Sequence, residues 1–107
     1  MTSDSQVAYE AVVTEMVATS PTTSGKMFGM PCLKNSNGKA FAGYTDGAMV
    51  FKLGGASHTE ALALSDAKLF DPMGGRPMKE WVVIPVEHST RWLEFARDAF
   101  EYVKGKK

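Results

Sequence analysis

The residue types best suited to ligand chemistry lie in a short glycine-rich segment in the second half of the chain. Gly74 and Gly75 precede Arg76 and leave the backbone before it conformationally free. Pro77 follows Arg76 and restricts the backbone after it. Arg76 offers a bidentate guanidinium, and Lys79 adds a second positive charge. Together these two side chains predict a site for a carboxylate or a phosphate.

A structural role is the alternative for the same segment. Arg76 can pair with Asp71 or Glu80 and so fix the loop on the sheet, since structural ion pairs resemble functional sites. Met73 and Met78 border the segment, and flexible thioether side chains are typical of adaptable binding surfaces as well as of core filling. The structural role is favoured for Arg76, whereas both interpretations stay open for Met73 and Met78, because their loop is expected to lie at the surface.

Cys32 is the only cysteine, and His58 and His88 are the only histidines. A thiol nucleophile needs a base within hydrogen-bond reach and a third group that orients the base. Both histidines lie at predicted helix starts, far from Cys32 in sequence, and no cysteine-enzyme motif surrounds them. We therefore expect a buried, unreactive Cys32 and no catalytic residue. One cysteine and two histidines are also too few for a zinc cluster, so we expect no metal and no cofactor.

Gly54 and Gly55 lead into a predicted helix, where free backbone N–H groups could meet an anion. Ser57 and Glu60 have the spacing of a capping box, which predicts a helix start near His58. The segment lacks the lysine of a phosphate-binding loop and the glycine pattern of a dinucleotide-binding turn. An ordinary turn with a capped helix is the favoured interpretation.

The elements that must position these residues follow from apolar periodicity and turn residues. They are, in chain order, a helix capped by Asp4 or Ser5 and ended by a loop over Ser20–Gly25, strands over Met27–Lys34, Lys39–Tyr44 and Ala48–Leu53, a short helix from near His58 to about Leu64, strands over Lys68–Asp71 and Lys79–Val86, and a helix capped by Ser89 or Thr90. The predicted fold class is α+β, an antiparallel sheet with the order α-β-β-β-α-β-β-α and the terminal helices packed on it.

Two helical stripes and two tryptophans define the predicted core. The apolar stripe of the first helix consists of Tyr9, Val12, Val13, Met16 and Val17, with Glu10, Thr14 and Glu15 toward water. The stripe of the last helix consists of Trp92, Phe95, Ala96, Ala99 and Val103. Trp81 and Trp92 are expected to anchor the packing of helices on the sheet.

The composition is that of a folded, uncharged globule. The chain has 107 residues, 44% of them hydrophobic, with twelve Lys+Arg against twelve Asp+Glu, so we expect one domain over residues 1–107 and not a disordered chain. A net charge of zero argues against direct nucleic-acid binding, and residues 76–107 carry a net charge of only +2. The first basic residue is Lys26, and the longest apolar run is Trp81–Val86, which predicts a cytoplasmic protein without a membrane helix.

Three sequence blocks resemble a known family. They are Met27-Phe28-Gly29-Met30, the strand pair Lys39–Gly43 and Met49–Leu53, and Gly75-Arg76-Pro77-Met78-Lys79-Glu80-Trp81-Val82. From about Met27 to Val103 the chain looks like the N-terminal domain of the TfoX/Sxy competence-regulator family. The resemblance implies a fold similar to that of secretion chaperones, and a bacterial regulator that acts through other proteins without a known catalytic site. Full-length members carry a second, helical domain, so this chain resembles a stand-alone first domain.

The expected function is that of a non-enzymatic regulatory or adaptor domain that acts through protein–protein contacts, in transcriptional or competence regulation. The expected contact surface is the Asp71–Met78 loop together with the Met27–Cys32 strand, and its contact residues are Met73, Gly74, Gly75, Arg76, Met78 and Lys79. The domain is expected to act alone or as a homodimer, the homodimer being suggested by analogy with the chaperone-like fold. The alternative function is a small-anion or small-molecule binding module that uses the Gly74–Met78 loop.

Overall fold

The structure is a computed structural model that describes residues 4–20, 22–27, 30–35, 38–45, 47–64, 66–71, 75 and 78–104, without the side chains of residues 27, 78 and 79. The elements are α1 (Asp4–Thr19), β1 (Thr23–Met27), β2 (Met30–Lys34), β3 (Ala40–Thr45), β4 (Ala48–Lys52), α2 (Gly55–Leu62), β5 (Lys68–Phe70), β6 (Met78–Pro85), a 3-10 helix (Val86–Arg91) and α3 (Trp92–Lys104). The strands form one antiparallel sheet in the order β1-β2-β3-β4-β6-β5. The predicted α+β class and antiparallel sheet are therefore confirmed.

The predicted element order is wrong at the start of the sheet. The single strand expected over Met27–Lys34 is two strands, β1 and β2, in which Met27 lies opposite Met30. Residues 23–25, expected to be loop, therefore belong to a strand, because pairing with β2 outweighs the loop preference of serine and glycine. Pro31 consequently lies in β2, a strand with neighbours on both sides, where it pairs with Lys26 of β1.

The main core lies between α1, α3 and one face of the sheet. All five predicted residues of the α3 stripe are buried there, because apolar side chains three and four residues apart share one helical face. Trp92 is fully buried, and its indole Nε1 donates a hydrogen bond to the carbonyl oxygen of Ile84 at 3.1 Å. Phe41 meets Phe100 edge to face, with ring centroids 5.4 Å apart. These contacts fix α3 across the centre of the sheet.

Helix α1 follows its predicted pattern with one exception. Tyr9, Val12 and Met16 are buried, but 52% of Val17 is exposed, so its assignment to the core is wrong. Successive residues turn by about 100°, which carries Val17 from the buried line toward solvent. Ser5 is buried instead, and its hydroxyl hydrogen-bonds the Tyr44 hydroxyl at 2.7 Å.

Helix α2 begins at Gly55, three residues before the predicted start. Gly54 occupies the N-cap position, and no side chain caps the helix, so the predicted capping by Ser57 is wrong. The Ser57 hydroxyl instead donates a hydrogen bond to Asp98 Oδ2 on α3 at 3.0 Å. That bond ties α2 to the last helix.

A second apolar cluster lies on the opposite side of the sheet. It comprises Met30, Val50, Phe70 and Trp81, all of them buried. Val50 stands between Met49 and Phe51, which both belong to the main core, and successive strand residues point to opposite faces. Trp81 therefore packs away from α1 and α3, and only Trp92 anchors the helices as predicted. We call this opposite side the distal face.

Candidate binding groove on the distal face of the sheet

The distal face carries a groove with a volume of about 710 Å³. Its lining residues come from the ends of four strands and their flanking turns: Thr45, Ala48, Asp66, Lys68, Leu69, Phe70, Asp71, Val83 and Pro85. Ligand sites commonly have volumes of about 300–1,000 Å³ and combine apolar walls with a few polar groups. The groove has that size and that mixture of side chains.

Strand register explains why these residues meet. Thr45 lies opposite Ala48, and Ala48 lies opposite Pro85, which forms one row across three strands. Val83 pairs with Lys68 in the neighbouring row. Two residues along a strand return to the same face, so Val83 and Pro85 both line the groove. The site is assembled by pairing between distant segments.

Two carboxylates and one ammonium group give the described lining its charge. Asp66 precedes β5 with φ at 64°, a left-handed conformation that aspartate tolerates better than most residues. Asp71 follows β5, and its Oδ2 accepts a hydrogen bond from the Gly75 N–H at 2.9 Å. Lys68 lies between them and is exposed. The described lining thus has a net charge of −1 and presents no concentration of positive charge.

Asp71, the first residue of the predicted contact loop, lines this groove. Gly75 is exposed and has φ at 94°, a value that glycine adopts without strain. Met73, Gly74 and Arg76 lie outside the described residues, as do the side chains of Met78 and Lys79. The predicted anion site and the predicted pairing of Arg76 with Asp71 or Glu80 both remain predictions. The described neighbourhood nevertheless places the start of the loop beside a groove that the sequence did not reveal.

In the described part of the Met27–Cys32 strand, two of the three side chains are inaccessible. Met30 is 6% exposed, and Cys32 is fully buried, so neither side chain of the Met27–Cys32 strand can reach a partner. Met30 is buried because it packs in the cluster on the distal face with Val50, Phe70 and Trp81. In the described part of that segment, Pro31 is the exposed side chain.

Burial also determines the chemistry of Cys32. It raises the pKa of the thiol above its ordinary value, an effect that the nearby Lys34 ammonium partly opposes. A nucleophilic cysteine needs the reverse, a lowered pKa and access to substrate. These properties are those of the buried apolar cysteine that the sequence predicts.

The strongest described ion pairs have structural positions. Arg91 contacts the carboxylates of Glu60 on α2 and Glu94 on α3, and its guanidinium lies 4.9 Å from the ring centroid of Phe95. Hydrogen bonds to Glu94 and Glu60 raise the pKa of Arg91 further, so it stays charged. This cluster joins two helices on the side of the sheet opposite the groove.

A side chain of the protein itself packs on the turn at Gly54. A Cβ atom on Gly54 would lie 2.3 Å from Cε1 of Tyr102, so this ring rests directly on the glycine backbone. The Tyr102 hydroxyl donates a hydrogen bond to the Glu80 carboxylate. An aromatic ring therefore covers the backbone of Gly54, and the favoured interpretation as a structural turn accounts for this glycine.

Three observations bear on the class of protein to which this chain belongs. None of the described helices has the length and apolar character that a bilayer crossing requires. Within the described ranges, no three His, Cys, Asp or Glu residues come together as metal ligands would. Comparisons of the chain with protein-family models, with curated proteins and with solved structures found no match.

Proposed function

We propose that this chain is a non-enzymatic binding domain that acts by contacting another protein through the distal-face groove. The observation that carries the proposal is the groove itself, which has a volume of about 710 Å³ and is lined by Asp71, the first residue of the predicted contact loop. Apolar walls from Ala48, Val83 and Pro85 favour an apolar side chain of the partner, and the polar residues at the rim favour its backbone or a neutral or basic group.

Charge favours a protein partner over the alternative of a small anion. Asp66 and Asp71 would repel a carboxylate or phosphate in the groove, and Lys68 balances only one of them. An anion would instead depend on Arg76 and Lys79, whose side chains are outside the described residues. A polypeptide segment with an apolar residue and an amide or basic neighbour suits the described lining better.

The resemblance to the TfoX/Sxy N-terminal domain supplies the biological setting of the proposal. In that setting the chain is one domain with a secretion-chaperone-like fold, works in the bacterial cytoplasm, and regulates competence or transcription through a protein partner. The antiparallel sheet with α1 and α3 on one face supports this assignment. A homodimer, proposed by the same analogy, predicts twice the chain mass in light scattering at all but the lowest concentrations.

The test compares groove variants with a matched control. Thr45→Arg fills the groove from the end of β3, and Lys68→Glu makes its rim more acidic. Lys104→Glu makes the same charge change at an exposed position at the end of α3. Each tagged protein is used to capture partners from the native lysate, and the binding of any captured protein is then measured with purified components.

The proposal predicts one protein that binds the wild type and Lys104→Glu with equal affinity. Thr45→Arg should bind it at least about tenfold more weakly, because the arginine side chain fills the groove, whereas Lys68→Glu, which makes the rim more acidic, should bind a partner with a basic group at least as tightly as the wild type. A partner that binds all four proteins equally would place its contact elsewhere. Turnover of a substrate by the purified protein would overturn the proposal of a non-enzymatic domain.

A further inference from the structure

Helix α1 is apolar on its outer side as well as on the side that packs on the sheet. Val7 and Val17 are 55% and 52% exposed, and Ala11 and Ala18 are exposed with them. A surface helix normally turns charged or polar residues outward, and a helix that is apolar all round is normally buried. The outward face of α1 therefore has the composition of a covered surface.

The outward residues have a regular spacing. Val7, Ala11, Thr14 and Ala18 follow one another at intervals of four, three and four residues, which is the spacing of a helix–helix seam. They lie opposite the buried line of Tyr9, Val12 and Met16. We call the four outward residues the outer ridge. Because three of them are small, the ridge leaves room for large side chains of a second helix.

A shallow apolar groove runs beside the outer ridge. It has a volume of about 350 Å³, and Ala8, Ala11, Val12 and Leu93 supply its apolar walls. Its remaining lining residues are Glu15, Ser89 and Thr90. The groove separates α1 from the segment where the 3-10 helix meets α3. It offers a pocket for one aliphatic side chain of a helix lying on the ridge.

Acidic residues flank the ridge on both sides. Glu10 lies on one side of it, and Asp4 and Glu15 lie on the other, whereas the sequence contains no basic residue before Lys26. Glu15 is 3.7 Å from the Arg97 guanidinium, which balances its charge, and Glu10 accepts a hydrogen bond from the uncharged Gln6 amide. The acidic margins of the ridge therefore keep the negative charges of Asp4 and Glu10.

We propose that the outer ridge binds an amphipathic helix of a partner protein, with large aliphatic residues at heptad spacing flanked by lysine or arginine. Large residues fit the gaps above Ala11 and Ala18, and basic flanks complement the acidic margins. The same margins repel nucleic acid and anionic membranes.

The ridge lies across the sheet from the distal-face groove, so the proposal can be tested independently. The probe is a fluorescent synthetic helix of about three heptads, with leucine and alanine in the seam and lysine at its flanks. A control probe carries glutamate in place of lysine. Anisotropy titrations compare the wild type with Ala11→Arg on the ridge and with Ala56→Arg, the same substitution at an exposed position of α2. Circular dichroism verifies folding, and Ala18→Arg serves if Ala11→Arg is unfolded.

The lysine-flanked probe should bind the wild type and Ala56→Arg equally, and Ala11→Arg at least about tenfold more weakly. The glutamate-flanked probe should bind at least about tenfold more weakly, and added salt should weaken the lysine-flanked complex. Equal binding to both Arg variants, equal binding of both probes, or no saturable binding would overturn the proposal. Dimers of the wild type that Ala11→Arg abolishes would assign the ridge to self-association instead. Thr45→Arg should bind like the wild type, whatever its effect at the distal groove.

Discussion

Tyr9 is the buried residue whose ionisation bears most directly on stability. Burial raises the pKa of its phenol to about 12, with a smaller contribution from Cys32, whereas an unfolded tyrosine titrates near 10. The unfolded chain therefore loses this proton first. The stabilising contribution of Tyr9 to the free energy of unfolding is fully present below pH 10. It decreases by roughly 2–3 kcal/mol as the pH rises toward 12.

Urea unfolding at a series of pH values measures this effect. The wild type should lose stability above pH 10, and Tyr9→Phe, which keeps the ring stacked near Tyr44 but cannot ionise, should lose less. Ionisable groups other than Cys32 contribute equally to both proteins, so the difference isolates Tyr9 together with its interaction with Cys32. Parallel declines in the two proteins would contradict the assigned role of Tyr9.

Gly54 is required by close approach to Tyr102, not by its backbone angles. Its φ of −147° suits any residue, but a Cβ atom would lie 2.3 Å from the Tyr102 ring. We expect Gly54→Ala to lower the free energy of unfolding by about 1–3 kcal/mol, because the ring must move. The double variant with Gly54→Ala and Tyr102→Leu should lose less free energy of unfolding than the sum of the losses in the two single variants.

Gly55→Ala is the matched control for this double-mutant comparison. Gly55 has φ at 60° and open space where a Cβ would stand, so alanine there brings backbone strain without a clash. The loss in the free energy of unfolding caused by Gly55→Ala should therefore add to the loss caused by Tyr102→Leu. Additive losses for Gly54→Ala as well would show that the contact with the ring does not determine the choice of glycine.

At the scale of elements, α3 depends on Trp92. Trp92→Phe removes the hydrogen bond to Ile84 and leaves unfilled space beside the sheet. We expect a loss of about 2–4 kcal/mol in the free energy of unfolding, from the cavity and from the lost hydrogen bond. Leu93→Ala, at a half-buried position on the same helix, should cost less. Thermal or urea unfolding measures both, and a smaller loss for Trp92→Phe would contradict this role.

Elements with strong periodicity could be predicted from the sequence, and elements shaped by tertiary contacts could not. The α3 stripe is long and uninterrupted, so its buried face is predictable. The early start of α2 could not be predicted, because Ser57 bonds to Asp98 in place of capping its helix. Strand β1 likewise depends on pairing with β2, which overrides a sequence typical of a loop.

At the scale of the whole molecule, the sheet separates two surfaces for which we propose different partners. One face is covered by α1 and α3, and the distal face carries its own small cluster and the groove. The sequence pointed to the loop beside this groove but not to the groove. Residues as distant as Thr45 and Asp66 line it together, and only the strand register brings them close. Periodicity within one segment contains no such information.

Photo-crosslinking in living cells tests the central proposal, that the distal-face groove binds a protein, most directly. The photoreactive residue p-benzoylphenylalanine replaces Thr45 in the groove in one protein and exposed Lys104 at the end of α3 in another. The account predicts one discrete protein adduct from position 45 and none of the same mass from position 104. The same adduct from both positions, or none from position 45, would contradict it.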